Sequence, residues 1–149
     1  MKTLIIYQSI HHGNTEKIAK VIADVLKADL VKPNELDIEK MKKYDLIGFG
    51  SGIYAWRHHR SLLKLVDELP KLNKKAFIFS TAGKPSVKNH KSLRKKLQNK
   101  GFTVVNDFSC PGFDSFGPFK LFGGFHKGRP NEEDFKKAKE FAKELKNFQ

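Results

Sequence analysis

The sequence predicts an α/β domain in which a parallel sheet is covered by helices on both faces. Three observations predict it. Short apolar runs recur along the chain as "TLIIYQ", "DLIGFG", "KAFIFS" and "FTVVNDF". They are of strand length and near-continuous, as in strands buried on both faces. Between them lie segments of helical periodicity, such as "HRSLLKLVDEL" and "HKSLRKKLQNK". Strands that alternate with helices are joined by crossover connections, and crossovers build parallel sheets.

The first strand runs from Thr3 to Gln8, and the helix after it lines up Ile18, Ile22, Val25 and Leu26 on one face. "DLVK" predicts a short second strand that stops at Pro33, where the backbone donor is lost. "DIEKMKK" predicts a short helix ahead of the third strand, Asp45 to Gly50. The helix in "HRSLLKLVDEL" stops at Pro70, and Lys75 to Ser80 is the fourth strand. "HKSLRKKLQNK" ends at Gly101, a residue suited to a C-terminal cap, and "FTVVNDF" is the fifth strand. The last helix opens at "PNEED". Asn131 is suited to cap it, and Glu132, Glu133 and Asp134 stand where the helix dipole favours negative charge. Phe135, Ala138, Ala142 and Leu145 then form its buried stripe. With 149 residues and no repeat, low-complexity segment or linker, residues 1–149 read as a single domain with a substantial core.

Charge is the unusual quantity: 29 Lys and Arg against 16 Asp and Glu give a formal +13. From Lys71 to Lys100 there are ten Lys and Arg and no acid. Such a face keeps a protein soluble and also attracts anionic partners. The apolar runs are too short to span a bilayer, and the run behind Met1-Lys2 is too short for a signal peptide. The lone cysteine, Cys110, cannot form an intramolecular disulfide, so a reducing, cytoplasmic setting is expected and no membrane association.

In open sheets of this kind ligands bind beyond the carboxyl ends of the strands, where strand order reverses. The segments to examine are "SIHHGNT", "GSGIYAWR", "TAGKPS" and "CPGFDSFGPF". In the first, Ser9, Gly13, Asn14 and Thr15 precede a helix whose unpaired N–H groups make an anion site without a lysine. A phosphate-binding Walker loop would need Gly-Lys-Ser/Thr, and a dinucleotide fingerprint three spaced glycines; neither is present. Receiver-domain acids and the Cys and Arg of a low-molecular-weight phosphatase are absent from the first loop as well.

"SIHHGNT" followed by "EKIA" resembles the phosphate loop and first helix of the flavodoxin family, and the likeness runs strand by strand along the chain. The resemblance implies a flavodoxin-like, doubly wound five-stranded parallel sheet of order 2-1-3-4-5 with helices on both faces. It also implies FMN as cofactor and electron transfer between redox partner proteins. Ser9, Gly13, Asn14 and Thr15 would hold the FMN phosphate. The segment Ser51, Gly52, Ile53, Tyr54, Ala55, Trp56 would lie along the isoalloxazine, with Tyr54 or Trp56 stacked on a ring face. Thr81, Ala82 and Gly83 would follow the pyrimidine end. Three departures stand out: a phosphate loop longer by one residue, no Tyr after the fourth strand, and a basic chain in a family with many acidic members.

His11 and His12 fill the middle of the first loop. They suit hydrogen bonding to FMN or to the loop backbone, and solvent exposure and metal binding together with His58 and His59 are the other readings. Phe113, Phe116, Phe119, Phe122 and Phe125 recur at an interval that neither helix nor strand keeps on one face. They pin a long loop to the core, or one of Phe113 and Phe116 covers the flavin. Basic charge beside aromatics also occurs in single-strand nucleic-acid binders, but no such module is recognisable and no nucleic acid is expected. No catalytic side chain and no metal ligand is expected. The function expected is an FMN electron carrier with redox partners, acidic ones given the charge. The alternatives are an NAD(P)H-dependent quinone reductase on the same fold, or a basic module binding another nucleotide.

Overall fold

A computed structural model of the chain describes residues 2–10, 13–112 and 128–148. The strands are β1 (Thr3–Gln8), β2 (Asp29–Val31), β3 (Leu46–Tyr54), β4 (Arg57–His58), β5 (Lys75–Ala82) and β6 (Thr103–Pro111). The helices are α1 (Asn14–Leu26), α2 (Ile38–Met41), α3 (Arg60–Glu68), α4 (Lys91–Asn99) and α5 (Glu132–Leu145). Strand order is β2-β1-β3-β5-β6, all parallel, with β4 pairing antiparallel to β3. Without β4 this is the expected order 2-1-3-4-5. The difference is the hairpin: the third strand does not end at Gly50 but runs on to Tyr54 and folds back through β4. The sheet therefore has six strands, because "SGIYAWRH" forms paired backbone where a loop was expected.

Each face of the sheet is buried by its own pair of helices. On one side Ile18, Ile22 and Leu26 of α1 and Ala138, Phe141, Ala142 and Leu145 of α5 pack on Ile5, Phe77 and Phe79. On the other, Leu62, Leu63 and Val66 of α3 and Leu93 and Leu97 of α4 pack on Ile6, Ile47, Phe49 and Ile78. The buried stripe of α5 includes Phe141, which sequence periodicity did not single out, while Phe135 is only partly buried. Asn131 caps α5 as expected: its side chain accepts from the Glu133 and Asp134 amides, and Asp134 answers the Asn131 amide. Asp134 is also gripped by two 2.6 Å bonds from Arg129. Burial opposes its charge, but the Arg129 and Asn131 hydrogen bonds hold its pKa below the usual carboxylate range. Gly101 has φ 88 just beyond α4, the left-handed turn expected of it.

Cys110 is buried, and burial pushes its thiol up to about 12. Among the described residues no helix is long and apolar enough to cross a membrane.

The packing of β3 against β5 depends on two glycines. Gly48 pairs with Phe77 and Gly50 with Phe79 in the sheet register. A Cβ on either glycine would lie 2.2 Å from the tip of the facing phenylalanine ring. The rings therefore lie over bare backbone and fill the space under α1 and α5. Gly50→Ala should destabilise the fold by about 1–3 kcal/mol or more through overpacking. The check is a urea melt, with a lower midpoint at unchanged slope. Adding Phe79→Leu should recover part of the loss, and a Gly50→Ala protein as stable as the parent would contradict this packing.

Candidate functional site

The carboxyl ends of the parallel strands bring three predicted segments to one edge. At the end of β1, Ser9 Oγ accepts from the Glu16 amide at 3.1 Å and so supports the first turn of α1. Gly13 caps that helix with φ 65, a left-handed conformation that glycine adopts without a Cβ penalty, and among the described residues nothing lies within 4 Å of where a Cβ would be. Asn14 is buried close to Gly112 at the end of β6, where a Cβ would come within 2.9 Å of Asn14 Nδ2. Thr15 and Thr81 are both buried, and their hydroxyls are 2.9 Å apart. That bond ties the start of α1 to the end of β5.

The second segment is the β3–β4 hairpin. Ser51 is buried, donates to the Gly52 carbonyl at 2.6 Å and accepts from the His59 amide at 2.9 Å. Tyr54 stands edge-on to the His59 ring at 5.2 Å. Ala55 and Trp56 form the tip with φ 50 and 67, two consecutive non-glycine residues in the left-handed region. Tight hairpins of this type normally carry Asn-Gly or Gly-Gly there, so the tip is strained. It holds the indole out, with Trp56 69% exposed.

Across from this tip is the third segment, Ala82, Gly83 and Lys84. With Ile53, Ala55, Trp56 and Asn89 they line a cavity of about 280 Å³. Lys84 Nζ lies 6.0 Å from the centre of the Trp56 ring. Of the residues predicted to bind a ligand, Ile53, Trp56, Ala82 and Gly83 line this cavity. Ser9, Gly13, Asn14, Thr15, Ser51, Gly52, Tyr54 and Thr81 belong to the same three strand-end segments and do not line it. His11, His12 and Phe116, with the rest of the Phe-rich stretch between Phe113 and Phe125, lie outside the described residues.

Sequence reasoning missed what lies under the cavity. His58 is buried in β4 and donates from Nε2 to the Phe79 carbonyl at 2.9 Å, while its Nδ1 has no hydrogen-bond partner among the described residues. Its ring is 5.0 Å from that of buried His90, which precedes α4. His90 Nε2 is 2.7 Å from Ser80 Oγ, and its Nδ1 donates to Asp107 at 2.9 Å. Arg94 of α4 reaches the same Asp107 oxygen. Burial alone would raise the Asp107 pKa, but His90 and Arg94 hold it below the usual value. Ser80, His90 and Asp107 share the connectivity of a hydrolytic triad. Ser80, however, is fully buried within β5 and offers no nucleophile to a substrate. The array is structural, pinning β5, β6 and the start of α4 beneath one wall of the cavity. His59 is equally occupied, since its Nδ1 accepts from the Ser61 amide at 3.0 Å and caps α3. Among the described residues no group of three or more His, Cys, Asp or Glu is placed to hold a metal ion.

Comparisons with known proteins place the chain among relatives. A family model described as "Flavodoxin domain" matches residues 4–112. The uncharacterized protein MJ0298 of Methanocaldococcus jannaschii is 58% identical over 147 residues, covering 97% of this chain and 98% of that protein. Among solved structures, a flavodoxin from the domain Archaea superposes with a TM-score of 0.76 at 16% identity, covering 97% of this chain and 96% of its own. Flavodoxin 2 from Bacillus cereus, in its oxidised form, superposes with a TM-score of 0.73 at 20% identity and full coverage of both chains. At these identities the solved structures speak for the fold.

The buried histidine gives the molecule a pH dependence. Burial and the neighbouring His90 lower the His58 pKa to about 3, against about 6.5 in an unfolded chain. Below pH 6.5 the unfolded chain binds a proton that the fold does not, so stability falls as pH drops. From pH 7.5 to 4.5 this group should remove about 2–3 kcal/mol. His58→Gln keeps a donor for Phe79 and does not titrate. Its stability, measured by urea melts across that range, should fall less than the parent's. Parallel pH profiles for the two proteins would show that His58 does not carry the effect.

Proposed function

The chain belongs to the flavodoxin family, and from that premise we propose that it binds FMN at this edge of the sheet and carries electrons between redox proteins. The observation that carries the reading is the exposed Trp56 indole, held by a strained turn over the cavity that Ala82 and Gly83 line from the other side. A flat aromatic ligand fits an exposed indole, and backbone groups of Ala82 and Gly83 suit its polar edge. The N-terminus of α1 suits its phosphate: among the described residues no side chain crowds Gly13, and Ser9 and Thr15 bring hydroxyls. Trp56 is the stacking candidate rather than Tyr54, because Tyr54 packs on His59 and does not line the cavity. When bound, the flavin supplies the redox chemistry. The residues around it position it, limit water access and set the local charge.

The partners fit the charge of the rim. Arg57, Arg60, Lys84 and Lys88 are exposed around the hairpin and the loop before α4. The sequence holds no acid between Asp45 and Asp67, nor between Glu68 and Asp107. A small acidic redox protein is the complementary partner, since opposite charge speeds encounter and orients it.

Trp56 is the chain's one tryptophan, so its emission reports directly on the site. Titrating FMN into the apoprotein should quench that emission and leave a yellow, flavin-loaded protein after gel filtration. Thr15→Ala should weaken FMN by about tenfold and riboflavin much less, because the loss is confined to the phosphate end. A protein that neither quenches nor retains FMN would refute the reading. Equal losses for both ligands would move Thr15 away from the phosphate.

Electron transfer to an acidic [2Fe–2S] ferredoxin should slow as ionic strength rises from 0.01 to 1 M, following the shortening Debye length. Salt-independent rates would remove the basic rim from the encounter. Bleaching of the bound flavin by NAD(P)H alone would instead point to a reductase.

A further inference from the structure

Lys84 stands where a side chain acts on a ligand's charge rather than on its shape. It follows Gly83 directly, lines the cavity with Ala82 and Gly83, and extends its ammonium to 6.0 Å from the Trp56 ring centre. It therefore borders the cavity between its two walls. Among the described residues no carboxylate pairs with it. The chain segments that build the walls carry no acid at all, from Leu46 to Val66 and from Leu69 to Asn106. Asp107, the acid that ends the second segment, is already engaged by His90 and Arg94. Among the described residues the Lys84 charge is thus left uncompensated at the cavity.

We propose that Lys84 sets the reduction potential of the bound flavin, by placing a cation beside the ring end that becomes negative on reduction. The proposal rests on the FMN reading above. Oxidised FMN has a neutral ring system. Taking up two electrons and one proton leaves that ring with one net negative charge, spread over its pyrimidine end. A cation there binds the reduced form more tightly than the oxidised one, and that difference in affinity is a rise in potential. Lys84 also reads as a cation resting on the Trp56 face with no bearing on the ligand. The two roles separate cleanly, because a role confined to Trp56 treats both oxidation states of FMN alike.

The experiment measures the two-electron potential of the FMN-loaded protein by spectroelectrochemistry at low salt, with the affinity of the apoprotein for oxidised FMN measured in parallel. The proteins are the parent, Lys84→Gln, Lys84→Glu and Lys84→Arg. Lys84→Gln should lower the ratio of reduced to oxidised binding by about tenfold, which is about 30 mV for a two-electron couple. Lys84→Glu should lower it further, Lys84→Arg should match the parent, and the differences should shrink as salt is raised. Lys84 is exposed on a loop, so these variants leave the core untouched. If the parent binds no FMN, the functional reading fails and this inference falls with it. If FMN binds and all four potentials coincide, the inference alone is overturned.

Discussion

A parallel sheet is stable only when both of its faces are buried, and that constraint decides where the candidate site of this protein lies. Covering both faces forces each strand to be followed by a crossover, so all five parallel strands point the same way. α1 and α5 cover one face and α3 and α4 the other. β1 sits between β2 and β3, so the chain leaves β1 to one side and β3 to the other. The gap between those departures collects the segments after β1, β3 and β5 at one edge. The bare backbone of Gly48 and Gly50 keeps β3 close enough to accept the Phe77 and Phe79 rings. The hairpin beyond β3 and the loop beyond β5 then start from adjacent, fixed positions.

Three buried contacts carry that order up into the site. The Thr15–Thr81 hydroxyl pair joins the helix start to β5. The His58 bond to the Phe79 carbonyl joins the hairpin to β5. His90, held between Ser80 and Asp107, fixes the residues just before α4, including Asn89 in the cavity wall. Each uses a polar side chain to pair another polar group at these junctions: a hydroxyl, a backbone carbonyl, or the Ser80 hydroxyl together with the Asp107 carboxylate. Histidine suits the second position because the buried, neutral His58 imidazole donates a hydrogen bond without the solvation cost of a fixed charge. The walls of the cavity are therefore tied to the sheet, and exposed Arg57, Arg60, Lys84 and Lys88 stand at the rim.

Much of this was legible in the sequence. Continuous apolar runs located the five parallel strands, and Pro70, Gly101 and Asn131 marked helix ends that the structure reproduces. Three of the strand-end segments that the sequence singled out lie together at one edge of the sheet. What stayed hidden depends on pairing that no local pattern records. "SGIYAWRH" carries the polar and glycine residues of a loop, yet its backbone pairs as a hairpin because β3 overshoots the edge of the sheet. A register shift in β6 between the partners of Ala76 and Phe77 turns Phe108 toward α5 and Asp107 toward His90 and Arg94. Simple alternation from Val104 would have put both on the opposite faces. His90 itself looked like the first residue of a basic helix, and only the fold sets it against Ser80 and Asp107.

The hairpin tip shows how structure and proposed function constrain each other. Two non-glycine residues in the left-handed region cost on the order of 1–2 kcal/mol each. β4, only two residues long, offers little pairing to offset them. The offset comes from below, where burial of His58 and the hydrogen bond from the His59 amide to Ser51 anchor both legs of the hairpin. A tip of Asn-Gly would have turned without strain, but it would have placed no indole over the cavity. The anchored turn instead leaves the chain's one tryptophan in water, a second unfavourable term in the same residue. Under the FMN reading these two costs have one cause. The strain fixes the ring's position before the ligand arrives, and stacking then removes the exposure, so the tip is ordered in advance for the face it meets.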